Sequence, residues 1–514
     1  MSKTIIIIGA GLAGLSAALQ AAENGCNVKL VSSLPSERAQ SVMAEGGINA
    51  ALNTKDENDS PEEHFTDTIK AACGLADPNA VWGMTQAAPE LVHWLLKLGV
   101  KFNMSGYDDV DLRNFGGQKK KRTAFAQSDT GKQIMTAMID AVRRKEASGM
   151  VERFSHHSFL TLRLCGNICC GCVIRDEYSQ ETVELPGDAV IVATGGMHGL
   201  FENTTGSLSN TGEVTAELFR LGVPLANGEM IQYHPTTVKC GGKRMLISEA
   251  ARGEGGRLFA MKDGKQWYFM EEKYPELGNL MPRDITAREI WNVSHESEVF
   301  LDMTEISEEI ISNKLSGLAD DCMTYLHKDI RKEPVSVLPG IHYFMGGILV
   351  DEQHRTPIQN LCAAGECCAQ YHGANRLGGN SLLGALYGGR VAAKSACEQA
   401  DVVDLSCATQ IDFPPASQIS EIKQLNKVMQ ETMGVVRNEN TLLNGIQTVQ
   451  ALTGNLPLLG MAVLKSALAR KESRGAHWRE DYPKSNDDDY LKTTVARFDG
   501  KQIQISFVPV PERR

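Results

Sequence analysis

A glycine-rich turn near the N-terminus constrains the fold of this chain more than any other feature. Residues 5–8 are wholly apolar, as expected of a strand in a sheet that helices cover on both faces. The turn Gly9-Ala10-Gly11-Leu12-Ala13-Gly14 follows at once, residues 15–23 have helical composition up to Asn24-Gly25, and residues 28–31 have the pattern of a second strand. This order predicts a βαβ unit of the dinucleotide-binding type.

The glycines of the turn have separate predicted roles. Gly9 permits the tight turn, Gly11 lets the backbone approach a pyrophosphate, and Gly14 lets the helix pack closely on the strand. The helix N-terminus, with its free N–H groups, then faces the phosphates. An NAD-binding unit would place an acidic residue at the end of the second strand, whereas this strand ends in Ser32-Ser33. The sequence therefore disfavours NAD as the dinucleotide.

Length and spacing predict several domains. A chain of 514 residues exceeds what one hydrophobic core usually covers. Two further apolar runs, 189–192 and 361–364, each lead into glycine, and we expect both to return to the first sheet. The dinucleotide-binding domain is then discontinuous, with a domain inserted from residue 228 to about residue 340.

The C-terminal part of the chain has a different pattern. Pro414-Pro415 predicts a linker. From about residue 419 the apolar residues, Met429 and Leu442 among them, recur at helical spacing between polar faces. The last forty or so residues, with three aspartates at 487–489, predict a small polar extension.

Charge and hydropathy argue against two classes of function. The net charge is −11 at pH 7, and nucleic-acid binding needs a basic face, so we expect no nucleic-acid partner. No run of about 18 apolar residues predicts a membrane-spanning helix. The N-terminus runs into the first strand without the cleavage pattern of a signal peptide, so we expect a cytoplasmic protein.

The chain has 13 cysteines, irregularly spaced, which is typical of reduced thiols rather than of a disulfide framework. Four of them, Cys165, Cys169, Cys170 and Cys172, cluster in a predicted β-hairpin over residues 162–174. A metal or iron–sulfur site would favour paired C-x-x-C motifs. We therefore predict structural cysteines and no metal site.

Several longer motifs follow in order along the whole chain. With these motifs the chain resembles, end to end, the flavoprotein subunits of fumarate reductase and succinate dehydrogenase, together with L-aspartate oxidase. The motifs are Ala44-Glu45-Gly46-Gly47, Ala193-Thr194-Gly195-Gly196, Gln232-Tyr233-His234-Pro235-Thr236, Arg252-Gly253-Glu254-Gly255-Gly256, Pro282-Arg283-Asp284, His342-Tyr343 with Met345-Gly346-Gly347, His372-Gly373-Ala374-Asn375-Arg376-Leu377, and Glu472-Ser473-Arg474-Gly475-Ala476-His477.

The resemblance implies an α/β fold with a glutathione-reductase-like FAD-binding domain, an inserted α+β capping domain and a C-terminal helical domain. We assign residues 1–227 and 341–400 to the FAD-binding domain, 228–340 to the cap, 412–475 to the helical domain and 476–514 to a C-terminal extension. Glu213 stands where the family usually has Asp. The residues implied to hold FAD are Gly9, Ala10, Gly11, Gly14, Ser32, Ser41, Gly46, Gly47, Glu213, Glu366, Arg376, Ser381 and Leu382.

The resemblance also implies a site for a C4 dicarboxylate such as fumarate or succinate. Two carboxylates require arginine, histidine and hydroxyl donors, and a bidentate arginine fixes orientation as well as charge. Arg283 is the implied proton donor. Glu249 and Arg252 are the implied relay that returns a proton to it, because a glutamate can titrate. The residues implied to bind the substrate are His234, Ser248, His342 and Arg376.

One position departs from many members of the family. Those members bond the flavin covalently to a histidine, and Gln40 occupies that position here. Glutamine is not a nucleophile toward the flavin, so we predict non-covalent FAD. By resemblance, loss of the covalent bond lowers the flavin potential and favours fumarate reduction.

Three functions are consistent with these residues. A fumarate reductase flavoprotein subunit would take electrons from an iron–sulfur subunit and, through it, from a membrane anchor or a soluble donor, which allows a peripheral location on the cytoplasmic face of the membrane. L-aspartate oxidase shares the turn and the arginine-rich site, but residues 122–131 and 373–390 resemble the reductases more closely. A non-catalytic FAD-binding subunit is disfavoured because every site residue is retained.

Other polar residues are given structural interpretations. The run Lys119-Lys120-Lys121-Arg122 predicts a solvated basic patch, although Arg122-Thr123 resembles a family segment near the flavin. His156 and His157 are predicted to be surface residues. His372 is predicted to shape the loop that carries Arg376.

Overall fold

The computed structural model describes residues 2–106, 109–399, 413 and 418–514. Its strands are β1 Thr4–Ile8, β2 Asn27–Ser32, β3 Ile48–Asn49, β4 Leu112–Arg113, β5 Thr123–Ala124, β6 Val151–Ser155, β7 His157–Cys165, β8 Ile168–Asp176, β9 Thr182–Pro186, β10 Ala189–Val192, β11 Leu225–Ala226, β12 Ile231–Cys240, β13 Lys243–Leu246, β14 Arg257–Lys262, β15 Lys265–Trp267, β16 Val299–Asp302, β17 Val335–Ser336, β18 Leu338–Phe344, β19 Gly347–Leu349, β20 Leu361–Ala363, β21 Cys368–Ala369, β22 Lys492–Phe498 and β23 Ile503–Pro509.

The helices of the described residues are of ordinary length, and short 3₁₀ turns span Ser36–Arg38, Gln40–Met43, His198–Leu200, Gly278–Leu280 and Gly365–Cys367. The α-helices are α1 Leu12–Glu23, α2 Pro61–Ala71, α3 Pro78–Lys97, α4 Thr130–Ala147, α5 Glu213–Arg220, α6 Glu249–Gly253, α7 Phe269–Lys273, α8 Arg283–Ser294, α9 Glu308–Lys314, α10 Ser316–Asp321, α11 Asn380–Gln399, α12 Ile419–Thr432, α13 Glu439–Val449, α14 Asn455–Ala469 and α15 Asp487–Tyr490.

A parallel five-stranded sheet in the order β20-β10-β1-β2-β6 organises the first domain. The predicted βαβ unit and the return of β10 and β20 to the same sheet are both confirmed. The two faces of the sheet are covered differently. Alternate residues of β1 enter two cores, with Ile5 and Ile7 packing among helices and Ile6 and Ile8 packing on the opposite side.

The helical face carries α1, α4 and α11. The opposite face carries the antiparallel sheet β7-β8-β9, which is the predicted hairpin with one strand added. Cys169 and Cys172 lie buried in that core, and both are free thiols. Within the part of the chain that the structure describes, no group of His, Cys, Asp and Glu side chains is arranged to hold a metal ion.

The segment between residues 228 and 340 has its own hydrophobic core. A three-stranded sheet, β13-β12-β18, and a four-stranded sheet, β15-β14-β16-β17, carry helices α6 to α10. Leu258, Ile290 and Leu301 are fully buried between these elements. Strands β11 and β19 lie just before and just after this segment and pair with each other, so the chain leaves and re-enters the first domain at one place.

The C-terminal helices α12, α13 and α14 pack through Met429, Leu442 and Leu459 against residues of α5 and β18. Strands β22 and β23 form a hairpin within the predicted extension and join the sheet β21-β19-β11-β22-β23. The division of the chain into the four segments given above remains our proposal. The predicted linker at Pro414-Pro415 lies outside the described residues.

Candidate active site

A cavity of about 1340 Å³ opens where the first sheet, the β7-β8 hairpin and the inserted segment meet. Ligand pockets for drug-sized molecules are typically about 300–1,000 Å³, so this cavity has room for a dinucleotide and a small substrate together. It begins at the glycine turn, which lies at the carboxyl end of β1, where open α/β sheets bind their ligands. The predicted cofactor and substrate residues can be located against this one space.

The glycine turn has the backbone geometry that its sequence predicts. Gly9 has φ +109°, and a Cβ there would lie 2.3 Å from the carbonyl oxygen of Ala193. A Cβ on Gly14 would lie 1.8 Å from the carbonyl oxygen of Gly9, so α1 approaches the turn as closely as a helix can. Within the part of the chain that the structure describes, a Cβ on Gly11 would have only Ser41 and Ala39 within 4 Å, which leaves the backbone open to the cavity.

Every residue predicted to hold FAD lines the cavity except Gly14, whose place is inside the turn. Glu366 is engaged within the protein, because its Oε1 accepts a hydrogen bond from the Phe344 amide at 3.0 Å. Burial raises the pKa of Glu213 despite the nearby Arg175. The lining set is Gly9, Ala10, Gly11, Ser32, Ser41, Gly46, Gly47, Glu213, Glu366, Arg376, Ser381 and Leu382.

The residues present fit an adenine dinucleotide with a flavin. The Oγ atom of Ser32 is buried at the end of β2 and has no hydrogen-bond partner among the described residues, as expected of a hydroxyl that binds a ribose. Gly46 and Gly47 leave space beside Phe115 and Thr123, where a side chain would clash. The open turn at the N-terminus of α1 suits a pyrophosphate, and the space beside Gly46 and Gly47 suits a ring system.

At the other end of the cavity, Arg283 and Glu249 form a buried ion pair. Oε2 of Glu249 accepts from Nε of Arg283 at 2.8 Å and from its Nη2 at 2.5 Å. Nη1 of Arg283 donates to Oε1 of Gln232 at 3.1 Å. Arg283 is the first residue of α8, and Glu249 is the first residue of α6. The pair therefore forms where the N-termini of these two helices meet.

Arg252 stands behind this pair and does not line the cavity. It is three residues after Glu249 on α6, so both side chains lie on one face of that helix, with Nη2 at 3.3 Å from Oε1 of Glu249. Burial would raise the pKa of Glu249, but Arg283 and Arg252 outweigh it and hold that pKa below its usual value. The carboxylate therefore stays ionised between two guanidinium groups.

His234, His342 and Arg376 face the same space as Arg283. The rings of His234 and His342 are 5.1 Å apart and nearly perpendicular. Burial, together with Arg283, lowers the pKa of both histidines well below 6.5, so both are neutral near pH 7. Burial also lowers the pKa of Arg376 to about 9, and its guanidinium lies 4.3 Å from the centre of the Tyr343 ring.

Ser248 lies at the N-terminus of α6, beside Glu249. Its Oγ accepts the Ala250 amide at 3.4 Å, so it caps the helix that carries Glu249 and Arg252. Ser248 also lines the cavity, where its hydroxyl lies near the carboxyl group of Glu45. The structure thus brings His234, Ser248, His342, Arg376 and Arg283 around one space, with two guanidinium groups and three neutral donors to meet a dianion.

The environments of Arg122, His156 and His157 differ from the sequence-based predictions. Arg122 is not part of a solvated patch, because it is fully buried and pairs with Asp59 at 2.8 Å and Asp67 at 3.0 Å. His156 and His157 are not simple surface residues, since both line the cavity. His372 is buried and packs on Tyr343, the residue beneath Arg376.

Two further cavity residues escaped the sequence reasoning. Glu45 lies in the Ala44-Glu45-Gly46-Gly47 motif, and burial and the nearby Asp321 raise its pKa to about 8. Thr205 contacts His342, and it lies outside every motif that carried the resemblance. The only sequence signal at Thr205 is a Thr-Thr-Gly turn, which has no chemical pattern of its own.

Two family models and several known proteins match this chain. A family model described as an FAD binding domain matches residues 4–382, and one described as the C-terminal part of the fumarate reductase flavoprotein matches residues 452–513. The succinate dehydrogenase flavoprotein subunit of Bacillus subtilis is 38% identical, over 100% of this chain and 98% of its own length.

Other relatives agree with this match. The 8-methylmenaquinol:fumarate reductase flavoprotein subunit of Wolinella succinogenes is 32% identical, over 100% of this chain and 92% of its own length. The fold is similar to that of E. coli quinol fumarate reductase FrdA, with a TM-score of 0.90 and 27% identity over 99% of this chain and 97% of the other. The predicted fold class is therefore confirmed.

The fold and the cavity define an FAD-binding oxidoreductase of the α/β class. Within that class, the chain belongs to the flavoprotein family of succinate dehydrogenase and fumarate reductase. Among the helices that the structure describes, none combines the length and apolar character needed to cross a membrane.

Proposed function

We propose that this chain is the catalytic flavoprotein subunit of a fumarate reductase or succinate dehydrogenase, and that it interconverts fumarate and succinate. The observation that carries the proposal is the Arg283–Glu249 pair, which faces His234, His342 and Arg376 across the cavity that starts at the glycine turn. Such a set of cations and neutral donors complements a dicarboxylate and places a proton source beside it.

The binding step uses groups at both ends of a dicarboxylate. Arg376 has a planar guanidinium that can hold one carboxylate with two parallel hydrogen bonds. His234, His342 and Ser248 supply neutral N–H and O–H donors, which orient the substrate without adding further charge. Because His234, Ser248 and Arg376 are buried, their hydrogen bonds act in a medium of lower dielectric constant than water and are stronger there.

The chemical step needs a hydride at one alkene carbon and a proton at the other. FAD, when bound, supplies or accepts the hydride. Arg283 holds a proton at Nη1 or Nη2 next to the substrate, and Glu249 holds the guanidinium in place through Nε and Nη2. After Arg283 gives up its proton, a proton from solvent returns to it by way of Arg252 and Glu249, which form a continuous charged chain behind it.

We propose further that the FAD is held without a covalent bond. Gln40 lines the cavity. By the resemblance it stands at the position of the flavin-bonded histidine of many family members, and an amide cannot form that bond. Retention then depends on the glycine turn and the other lining residues. The same reasoning supports the fumarate-reducing direction as the proposed physiological one.

The proposed partners follow from electron balance. Each reduction of fumarate consumes two electrons, which must reach the flavin from another redox centre. The relatives carry the name flavoprotein subunit, which supports an iron–sulfur partner and, through it, a membrane anchor or a soluble donor. We place the proposed complex on the cytoplasmic face of the membrane, with this chain peripheral.

The test is a pair of assays on purified holoprotein. We expect fumarate to oxidise chemically reduced viologen, and aspartate to produce no hydrogen peroxide. A strong aspartate-dependent peroxide signal with no fumarate reduction would instead identify L-aspartate oxidase, which the named relatives do not favour. If neither fumarate nor aspartate gives activity while FAD stays bound, the chain is a non-catalytic subunit.

A further inference from the structure

The hydroxyl of Thr205 lies 2.7 Å from Nδ1 of His342. The two residues are held together by backbone contacts as well. The Thr205 amide donates to the carbonyl oxygen of Ile341 at 2.9 Å, and Thr204 forms a parallel bridge with Ile341. Thr205 is thus fixed against β18, the strand that carries His342.

The direction of the Thr205–His342 hydrogen bond follows from what else is nearby. The Thr205 hydroxyl has one hydrogen and two neighbouring acceptors, Nδ1 of His342 at 2.7 Å and the Ile341 carbonyl at 3.4 Å. That carbonyl already accepts the Thr205 amide. The shorter contact with the unpaired acceptor is the better bond, so the hydroxyl donates to Nδ1.

A neutral imidazole carries a single N–H, so an accepting Nδ1 leaves the hydrogen on Nε2. His342 is neutral because burial, Arg283 and Arg376 all disfavour its protonated form. Its Nδ1 is taken by Thr205, which leaves Nε2 for a ligand in the cavity. With the hydrogen on Nδ1 instead, Nε2 would present a lone pair that repels a carboxylate.

We propose that Thr205 is a positioning residue that fixes His342 as the Nε2–H tautomer, so that this histidine donates a hydrogen bond to a substrate carboxylate. The ligand part of this inference rests on the proposed function, whereas the tautomer does not. His234 differs, because its Nδ1 contacts the backbone of Thr236, with the amide at 3.3 Å and the carbonyl at 3.1 Å. The Thr236 hydroxyl is farther from this nitrogen, at 3.4 Å, so of these two histidines His342 has the shorter contact between Nδ1 and a side chain that can be replaced.

The experiment compares Thr205→Val with Thr205→Ser in the FAD-loaded protein. Valine keeps the shape of threonine and removes the hydroxyl, whereas serine keeps the hydroxyl. The probe is malonate, a dicarboxylate with no double bond to reduce, and its dissociation constant is measured by calorimetry. We expect Thr205→Val to weaken malonate binding about tenfold and to raise the KM for fumarate by a similar factor, with a smaller change in kcat. We expect Thr205→Ser to stay within about twofold of the wild type.

A second readout does not depend on substrate. The chain has 12 histidines, and ¹⁵N labelling of histidine with a His342→Gln variant for assignment shows which nitrogen of His342 is protonated. We expect Nε2–H in the wild type and in Thr205→Ser, and a mixture of tautomers in Thr205→Val. FAD content and circular dichroism report whether each variant is folded.

The outcomes separate this inference from the proposed function. An Nδ1–H tautomer in the wild type, or equal malonate affinity in the wild type and Thr205→Val, overturns the role of Thr205 alone. Equal losses in the serine and valine variants overturn it too, since they show that the methyl group or the backbone matters instead. If the wild type neither binds malonate nor reduces fumarate, the proposed function fails, and the ¹⁵N spectrum still decides the tautomer. The wild-type spectrum also decides if Thr205→Val does not fold.

Discussion

Two nitrogens of Arg283 donate to the same carboxylate oxygen of Glu249: Nε lies 2.8 Å and Nη2 lies 2.5 Å from Oε2. The other oxygen, Oε1, faces Arg252 at 3.3 Å and accepts the Gly116 amide at 3.1 Å. One buried carboxylate thus lies between two buried guanidinium groups. Removal of Glu249 would leave two guanidinium groups unpaired away from water, which is costly, whereas removal of Arg283 leaves the Glu249–Arg252 pair in place. The pair is therefore a point at which activity and folding can be tested separately.

Replacing Arg283 with alanine is expected to lower kcat for fumarate reduction by about 10²- to 10⁴-fold, because the proton donor is lost. FAD content should stay at the wild-type level, since Arg283 lies at the substrate end of the cavity. Arg331→Ala is the matched control, because Arg331 lies in the same inserted segment with its side chain 38% exposed. Unchanged turnover in Arg283→Ala would remove this residue from the mechanism.

Glu45 is expected to make stability depend on pH. Burial and Asp321 raise its pKa from 4.5 to about 8, so the folded protein keeps a proton that the unfolded chain releases. The contribution of Glu45 to the free energy of unfolding is therefore fully present below pH 4.5 and is lost as pH rises through about 8. The Tm of the wild type should fall over this window relative to Glu45→Gln. The exposed Glu305→Gln should follow the wild type, and parallel curves for Glu45→Gln would contradict the assignment.

The flavin is expected to separate from the polypeptide on denaturation, because Gln40 cannot bond to it. The measurement is flavin fluorescence on a denaturing gel, with the soluble fraction assayed for released FAD. Fluorescence that stays with the protein band would show a covalent link and refute the prediction. Dilution of the native protein should also release FAD to a measurable extent.

Replacing Gly14 with alanine is expected to reduce both FAD binding and stability. The new Cβ would lie 1.8 Å from the carbonyl oxygen of Gly9, so α1 must move away from the turn. Overpacking of this kind costs roughly 1–3 kcal/mol of folding free energy. Gly242→Ala is the control, since no atom of the described residues lies within 4 Å of its Cβ position. Equal unfolding midpoints for the two variants would show that the turn tolerates a side chain.

The start of the fold was predictable because its determinants are close together in the chain. The apolar run, the glycine spacing and the following helix specify β1, the turn and α1 within two dozen residues. The helix begins at Leu12, earlier than the predicted residue 15, because the Leu15 amide already bonds to the Gly11 carbonyl at 2.9 Å. The glycine turn at residues 9–14 and the first turn of α1 therefore overlap, and the start of the helix cannot be predicted from composition alone.

The buried Arg122 shows where such prediction fails. Its neighbours in sequence are three lysines, which predict a solvated patch, but Asp59 lies 63 residues away and meets it in the interior. The pattern of charges along the sequence depends only on residues that are adjacent in the chain. A buried cation is decided by partners that the fold brings from elsewhere.

The sequence by itself determined the dinucleotide-binding unit, the return of β10 and β20 to its sheet, and the motifs that mark the family. These features depend on hydrophobic period and glycine spacing, which short segments carry. Only the tertiary structure decided that Arg283 meets Glu249 across two helix starts, that Glu45 lies where its carboxyl group keeps a proton, and that Thr205 touches His342. Each of those contacts joins distant parts of the chain, and its strength comes from burial, which no residue can bring about without the rest of the fold.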